Sequence, residues 1–301
     1  MASLATPAHG RRERSAAPRA VLRARARLGE GPAWDADAGV LWWVDVWDFR
    51  VHRWDPVTGK NESFDVGEPA AFAVPARGGT VLVGLRQRVV RLDPRTGAHT
   101  MVAHVPGLAP DERLNDGKCD PRGRLWFGTN AREEGTASLF RLDAGGVRRV
   151  EGGFTIANGL GWSPDAATFF VADSPARRIY AYDFDVEEGT ISGRRVFAGM
   201  DGEGAFPDGV AIDAEGGVWS AQWDGGCVVR FGPDGRELER VAFPVPLTTS
   251  CCFGGADGRD LYVTTAQVGL DDQRLEAAWN SGDLFVVRAG VRGVPVVPFA
   301  G

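Results

Sequence analysis

Four short phrases place an oxygen-bearing side chain at the same point of an internal repeat. They are Glu30 in GEGPAW, Asn115 in RLNDGKCD, Asn158 in IANGLGW and Asp208 in FPDGVAID. Carboxylate and carboxamide oxygens are hard donors, suited to Ca²⁺, Mg²⁺ or Mn²⁺ and tolerated by Zn²⁺ and Fe²⁺. On one ring they would make a metal site. Two carboxylates beside one divalent ion give the near-neutral charge that a partly buried site tolerates. The four histidines, His9, His52, His99 and His104, lie away from these positions, which argues against a three-histidine zinc site. Taken singly, Asn-Gly, Asp-Gly and Glu-Gly are ordinary turn dipeptides. A site is favoured because the residue varies while remaining an oxygen donor, whereas a purely structural turn would reuse one residue.

The elements that must position these residues follow from the spacing. Five residues after each comes a turn (Asp35, Asp120, Ser163, Asp213), and six further on the apolar heart of a strand (Leu41, Trp126, Phe169, Trp219). The same ruler fits at Ala71 and Cys251, so the six reference positions are 41, 44, 43, 50 and 43 residues apart. A period in the forties with several short strands per unit is the signature of a β-propeller. Each unit shows an Asp/Gly turn and an aromatic or β-branched strand (DPRGRLWFGT, DAEGGVWSAQW), then an alternating strand ending in a second turn (VHRWDPVTG, VVRLDPRTG). The expected fold is all-β, a six-bladed propeller of four strands per blade, with a short helix near Gln273–Trp279. Residues 20–301 form that single domain, and residues 1–19 are read as a disordered tail. The alternating segment Ala20–Leu28 is expected to add the outer strand of the last blade and so close the ring. The ruler residues then converge on one mouth of the central channel, with Ala71 and Cys251 leaving a side open for substrate or water.

A net charge of −6 gives no basic footprint for nucleic acid, and no apolar stretch approaches a membrane span. The N-terminus lacks the apolar core of a secretory signal. Cys119, Cys227, Cys251 and Cys252 have no C-x-x-C spacing, which reads as buried, reduced thiols in a cytoplasmic protein. A monomer or weak homo-oligomer is expected.

GEGPAW, RLNDGKCDPRGRLWFGT, ANGLGWSPD, FPDGVAID and WDGGCVVRF, in this order and spacing, resemble the SMP-30/gluconolactonase/luciferin-regenerating family from about Arg27 to Gly301. Members are six-bladed propellers that hydrolyse sugar lactones. The resemblance implies one divalent metal ion, of unspecified identity among Ca, Zn, Mn, Mg and Fe, held by Glu30, Asn158 and Asp208. It also implies that Asn115 contacts substrate and that Arg113 binds substrate oxygens. An alternating strand puts Arg113 and Asn115 on one face, which supports their pairing independently. Asp173, in FFVADS, either lines the channel or caps a turn. The loop Asn130–Ser138 departs from relatives with a longer covering segment, and there Glu133 or Glu134 either bonds sugar hydroxyls or is solvated surface.

The expected reaction is hydrolysis of a small sugar lactone, with the metal as Lewis acid and Asp208 as base, or as ligand only with water on the ion as nucleophile. Ser250 and Cys251 lie near the mouth but no histidine is placed to activate them. The alternatives are a metal-dependent ester or organophosphate hydrolase, which a more hydrophobic mouth would favour with Trp223 as a wall, and a non-enzymatic calcium-binding propeller.

Overall fold

The computed structural model describes residues 15–200 and 204–301. They form six antiparallel sheets of four strands each around a central channel. Blade 1 runs Gly29–Asp35, Val40–Asp45, Arg50–Trp54 and Asn61–Asp65, and blade 2 runs Phe72–Ala76, Thr80–Gly84, Arg88–Leu92 and His99–His104. Blade 3 is Arg113–Cys119, Leu125–Asn130, Ala137–Asp143 and Gly146–Phe154. Blade 4 is Ala157–Trp162, Thr168–Asp173, Arg178–Asp185 and Thr190–Gly199, and blade 5 is Phe206–Ile212, Val218–Trp223, Cys227–Phe231 and Glu237–Ala242. Blade 6 takes Thr248–Gly254, Asp260–Thr265 and Leu284–Arg288 from the end of the chain. Its fourth strand is Arg19–Leu22, antiparallel to Leu284–Arg288 with Ala20 opposite Phe285. The N-terminal segment therefore closes the ring as expected, beginning one residue earlier. The tail reading for residues 1–14 falls outside the described residues, while Ser15 and Ala16 already donate backbone N–H groups to Glu239 and to the Arg288 carbonyl.

The repeat has a local physical cause. In blade 3 the turn residue Asp120 is fully buried and accepts the Trp126 indole N–H at 2.9 Å and the Arg124 Nε at 2.5 Å. In blade 5 Asp213 accepts from Trp219 at 2.8 Å and from Arg230 Nε at 2.7 Å. A buried carboxylate is tolerated only when its lone pairs are filled, so the spacing of turn aspartate to strand tryptophan is the spacing of a hydrogen bond. The innermost strands are the most buried, and the outer ones, such as Glu237–Ala242, face solvent. The one helix among the described residues, Asp272–Ala277, is N-capped by Asp271 and sits between the second and third strands of blade 6.

The far end of the channel is crossed by the C-terminal segment. Its Val294 N–H donates to Ile212, Phe299 to Pro75 and Ala300 to Gly123, which tie blades 5, 2 and 3 at the exits of their inner strands. Between this segment and the inner-strand ends lies a small pocket of about 60 Å³, lined by Lys118, Cys252 and Val294 among others. No helix among the described residues is long and apolar enough to cross a membrane.

Candidate active site at the channel mouth

Each of the four donors sits at a β-bulge in an innermost strand, while blade 6, whose ruler residue is Cys251, shifts register between Thr248 and Ser250. The pairing of first and second strands shifts register between Glu30 and Ala33, between Leu114 and Gly117, between Asn158 and Leu160, and between Pro207 and Val210. Blade 2, which carries no donor at its ruler position, pairs without a shift. A bulge re-aims the side chains beside it. Here it turns the donors toward the channel, and the next glycine's N–H bonds back to the donor at Glu30 (3.2 Å) and Asn158 (3.1 Å). Gly31 adopts a left-handed φ of 53°, whereas the corresponding glycines of blades 4 and 5 do not. Gly159 and Gly209 keep ordinary φ values and are needed for close approach. A Cβ on Gly159 would lie 2.3 Å from the Asp208 carbonyl, and one on Gly209 would fall 2.5 Å from the Ser250 Cα.

Glu30, Asn115, Asn158, Asp208 and Arg113 all line one cavity of about 320 Å³. The Asn158 amide donates to Asp208 Oδ1 at 2.5 Å and to Ser174 Oγ at 3.2 Å, and Ser174 in turn donates to the Pro207 carbonyl at 2.7 Å. Arg113 Nη1 donates to Asn115 Oδ1 at 3.0 Å and to the Leu114 carbonyl at 2.9 Å, so the sequence-predicted pair is joined directly. Asn115 donates across to the Ala157 carbonyl at 3.3 Å. The lining also includes the apolar side chains of Leu28, Ile156, Phe206 and Trp223. A larger groove of about 770 Å³ lies on the rim beside blade 5, where its Arg240 and Glu237 pair with each other at 2.7 Å. It has no convergent polar floor.

Asp116, which the sequence did not single out, lines a small pocket with Glu30, Arg113, Asn115 and Asn158. Strict alternation would send it away from Asn115, yet the bulge brings both to the deep end of the cavity beside Glu30 and Asn158. Its carboxylate accepts the Gly117 N–H at 2.7 Å. Burial raises its pKa, against relief from Lys118 and backbone donors. Burial, then the charges of Asp208 and Asp116, hold the Glu30 carboxyl well above the usual carboxylate range. Burial and then Asp116 do the same to Asp208, against the Asn158 hydrogen bond and Arg113. Three buried carboxylates facing mainly one guanidinium are a cluster that a cation would relieve, and the donors are hard oxygens. The residues present thus fit a divalent ion. Among the described residues no three His, Cys, Asp or Glu side chains form a metal-holding group by themselves, so the fit depends on the Asn158 amide beside Glu30 and Asp208.

Two predicted substrate contacts are placed elsewhere. Asp173 is buried outside the cavity lining, and its carboxylate accepts the N–H groups of Thr155 and Ile156 at 3.2–3.3 Å. Asp45 does the same in blade 1 for Arg27 and Leu28, so both cap the segment entering an inner strand. Glu133 is exposed in its loop, where its carbonyl closes a turn with Thr136, and it does not line the cavity. Cys251 turns its thiol toward the Trp219 carbonyl, between blades 5 and 6, and burial lifts its pKa to about 12. The four cysteines are free and buried.

Comparison with known proteins agrees with this geometry. Over 288 residues the chain is 38% identical to regucalcin of Gallus gallus, covering 92% of this chain and 96% of that protein. It is 38% identical over 268 residues to pentonolactonase XacC of Haloferax volcanii, covering 87% and 90%. The crystal structure of a calcium-binding protein, regucalcin, from Agrobacterium tumefaciens superposes with a TM-score of 0.91 at 29% identity, covering 95% and 98%. The family model described as SMP-30/Gluconolactonase/LRE-like region matches residues 28–267, and the chain belongs to that family.

Proposed function

We propose that this protein is a divalent-metal-dependent hydrolase that opens the ring ester of sugar lactones to the sugar acid. The observation that carries the reading is the convergence of Glu30, Asn158 and Asp208 with Arg113 and Asn115 in one cavity at the channel mouth. Similarity to a pentonolactonase supports the substrate class. In the reaction, water adds to the lactone carbonyl carbon, the bond to the ring oxygen breaks, and that oxygen leaves as a hydroxyl. The acid formed releases a proton at neutral pH. A divalent ion held by Glu30, Asn158 and Asp208 would supply Lewis-acid polarisation of the carbonyl oxygen.

The protein's own groups do the rest. Asp208, fixed by the Asn158 amide, either accepts the proton of the attacking water or serves as ligand alone. Arg113 and Asn115 are already bonded to each other, so their remaining donors meet the ring oxygens with little reordering. The four buried thiols support a cytoplasmic site of action. One observation favours a second reading. The apolar side chains of Phe206 and Trp223 suit an ester or organophosphate substrate.

A pH-indicator assay on EDTA-stripped protein separates the two readings. Sugar lactones, an aryl ester and an organophosphate would be offered with Ca²⁺, Mg²⁺, Mn²⁺, Zn²⁺ or Fe²⁺ restored singly. Metal-dependent acid release from lactones is expected. Release only from the ester or organophosphate would favour the second reading, and release from none would leave a binding protein.

A further inference from the structure

The turn that follows the second strand of blade 1 holds an aromatic side chain that none of the site's donors requires. We propose that Trp47 is the positioning residue for Arg113, its indole face holding the guanidinium over the cavity so that the free N–H groups meet substrate oxygens. The proposal rests on the lactonase reading of the same cavity. The Arg113 guanidinium carbon lies 5.5 Å from the Trp47 ring centroid, within the range of a cation–π contact. Trp47 itself has little freedom. The Asp45 carboxylate beside it accepts the N–H groups of Arg27, Leu28 and Asp48 at 2.8, 3.1 and 3.3 Å, and Arg27 Nη1 donates to the Trp47 carbonyl at 3.3 Å.

Blade 2 stands between blade 1 and blade 3 in the ring, and its Ala71 lines a small pocket together with Glu30, Arg113 and Asn115. That small side chain lets groups from blades 1 and 3 meet across it. Arg113 is a long side chain with many rotamers, and its neighbours Glu30 and Asp208 attract it. Even so, among the described residues it makes no ion pair with either carboxylate. It is held instead by Trp47, the Leu114 carbonyl and Asn115. Among the described residues its hydrogen bonds to the protein run from Nη1, which leaves Nε and Nη2 for a ligand with several oxygens.

The test is steady-state kinetics of the full-length protein with Ca²⁺ on δ-gluconolactone or a pentonic acid γ-lactone, whichever wild type turns over faster. Trp47→Leu, which keeps apolar bulk without an aromatic face, is expected to raise KM about five- to tenfold with kcat within twofold. Trp47→Phe should restore most of the loss. In an Arg113→Ala background Trp47→Leu should have no further effect on KM, because the indole acts through that arginine. An unchanged KM in Trp47→Leu, or an equal rise with and without Arg113, overturns the positioning role. Absence of lactone turnover by wild type overturns the functional reading itself and the role with it, and is told apart by the wild-type control.

Discussion

Replacing Gly159 by alanine tests whether close approach of the inner strands builds the site. At an ordinary φ, alanine should stabilise a chain by about 0.4–1 kcal/mol through the unfolded state. Here the added Cβ would meet the Asp208 carbonyl at 2.3 Å, Val210 Cγ2 at 2.6 Å and the Val210 nitrogen at 2.9 Å. Ordinary contact begins near 3.4 Å, so blades 4 and 5 must part by about 1 Å at this point. Two of the three atoms met are backbone and cannot rotate away. Overpacking of this kind costs about 1–3 kcal/mol, which outweighs the gain. For a chain of this size about 1 kcal/mol moves the melting temperature by roughly 1.5–2 °C, so it should fall by roughly 1–5 °C. The same separation opens the 2.5 Å contact between Asn158 and Asp208, so calcium affinity should fall more than tenfold. Thermal melts by circular dichroism, with and without Ca²⁺, read both effects. A melting temperature equal to or above wild type, with the calcium-induced rise intact, would refute the close-approach argument.

Three further perturbations follow from the same structure. Glu30→Ala and Asp208→Ala should each lower lactone turnover at least a thousandfold while the fold survives, measured by initial rates beside circular dichroism spectra. Deleting residues 1–28 removes the closing strand and strips the buried Asp45 of two donors, an unsatisfied group worth about 1–3 kcal/mol by itself. Deleting residues 1–18 keeps the closing strand and, among the described residues, removes the backbone hydrogen bonds of Ser15 and Ala16, so the shorter truncation should melt several degrees above the longer one. His52 stacks on Trp43 at 3.9 Å and accepts from Asn61, and burial lowers its pKa to about 4. The folded state therefore keeps it neutral. Its stability contribution is complete above the ordinary value of 6.5 and is lost as pH falls from there toward 4. After allowance for partial solvent exposure, wild type should lose about 1–3 kcal/mol more than His52→Phe between pH 7 and pH 4 in urea titrations.

The repeat was legible because its cause is local. A buried aspartate, a glycine turn and a tryptophan six residues later repeat wherever Asp120–Trp126 and Asp213–Trp219 make their hydrogen bond. The closing strand was legible from alternation alone. The donors Glu30, Asn115, Asn158 and Asp208 were legible because their offset is constant, whereas Arg113 entered through the family resemblance. Asp116 was not, since alternation predicts the wrong face and only the bulge between Leu114 and Gly117 reverses it. Asp173 was left open between lining the channel and capping a turn, because sequence alone does not show that its carboxylate accepts the backbone N–H groups of Thr155 and Ile156. Trp47 and the C-terminal strap depend on contacts between distant blades, and no local pattern in the sequence reports them.

The most direct test of the central claim is a single titration of EDTA-stripped protein with Ca²⁺, following heat of binding and lactone hydrolysis on the same samples, for wild type and Asp208→Ala. The account predicts one site per chain in wild type, with turnover rising in step with its occupancy, and loss of both in the variant. Turnover that is full before metal is added, or that persists in folded Asp208→Ala, would contradict it.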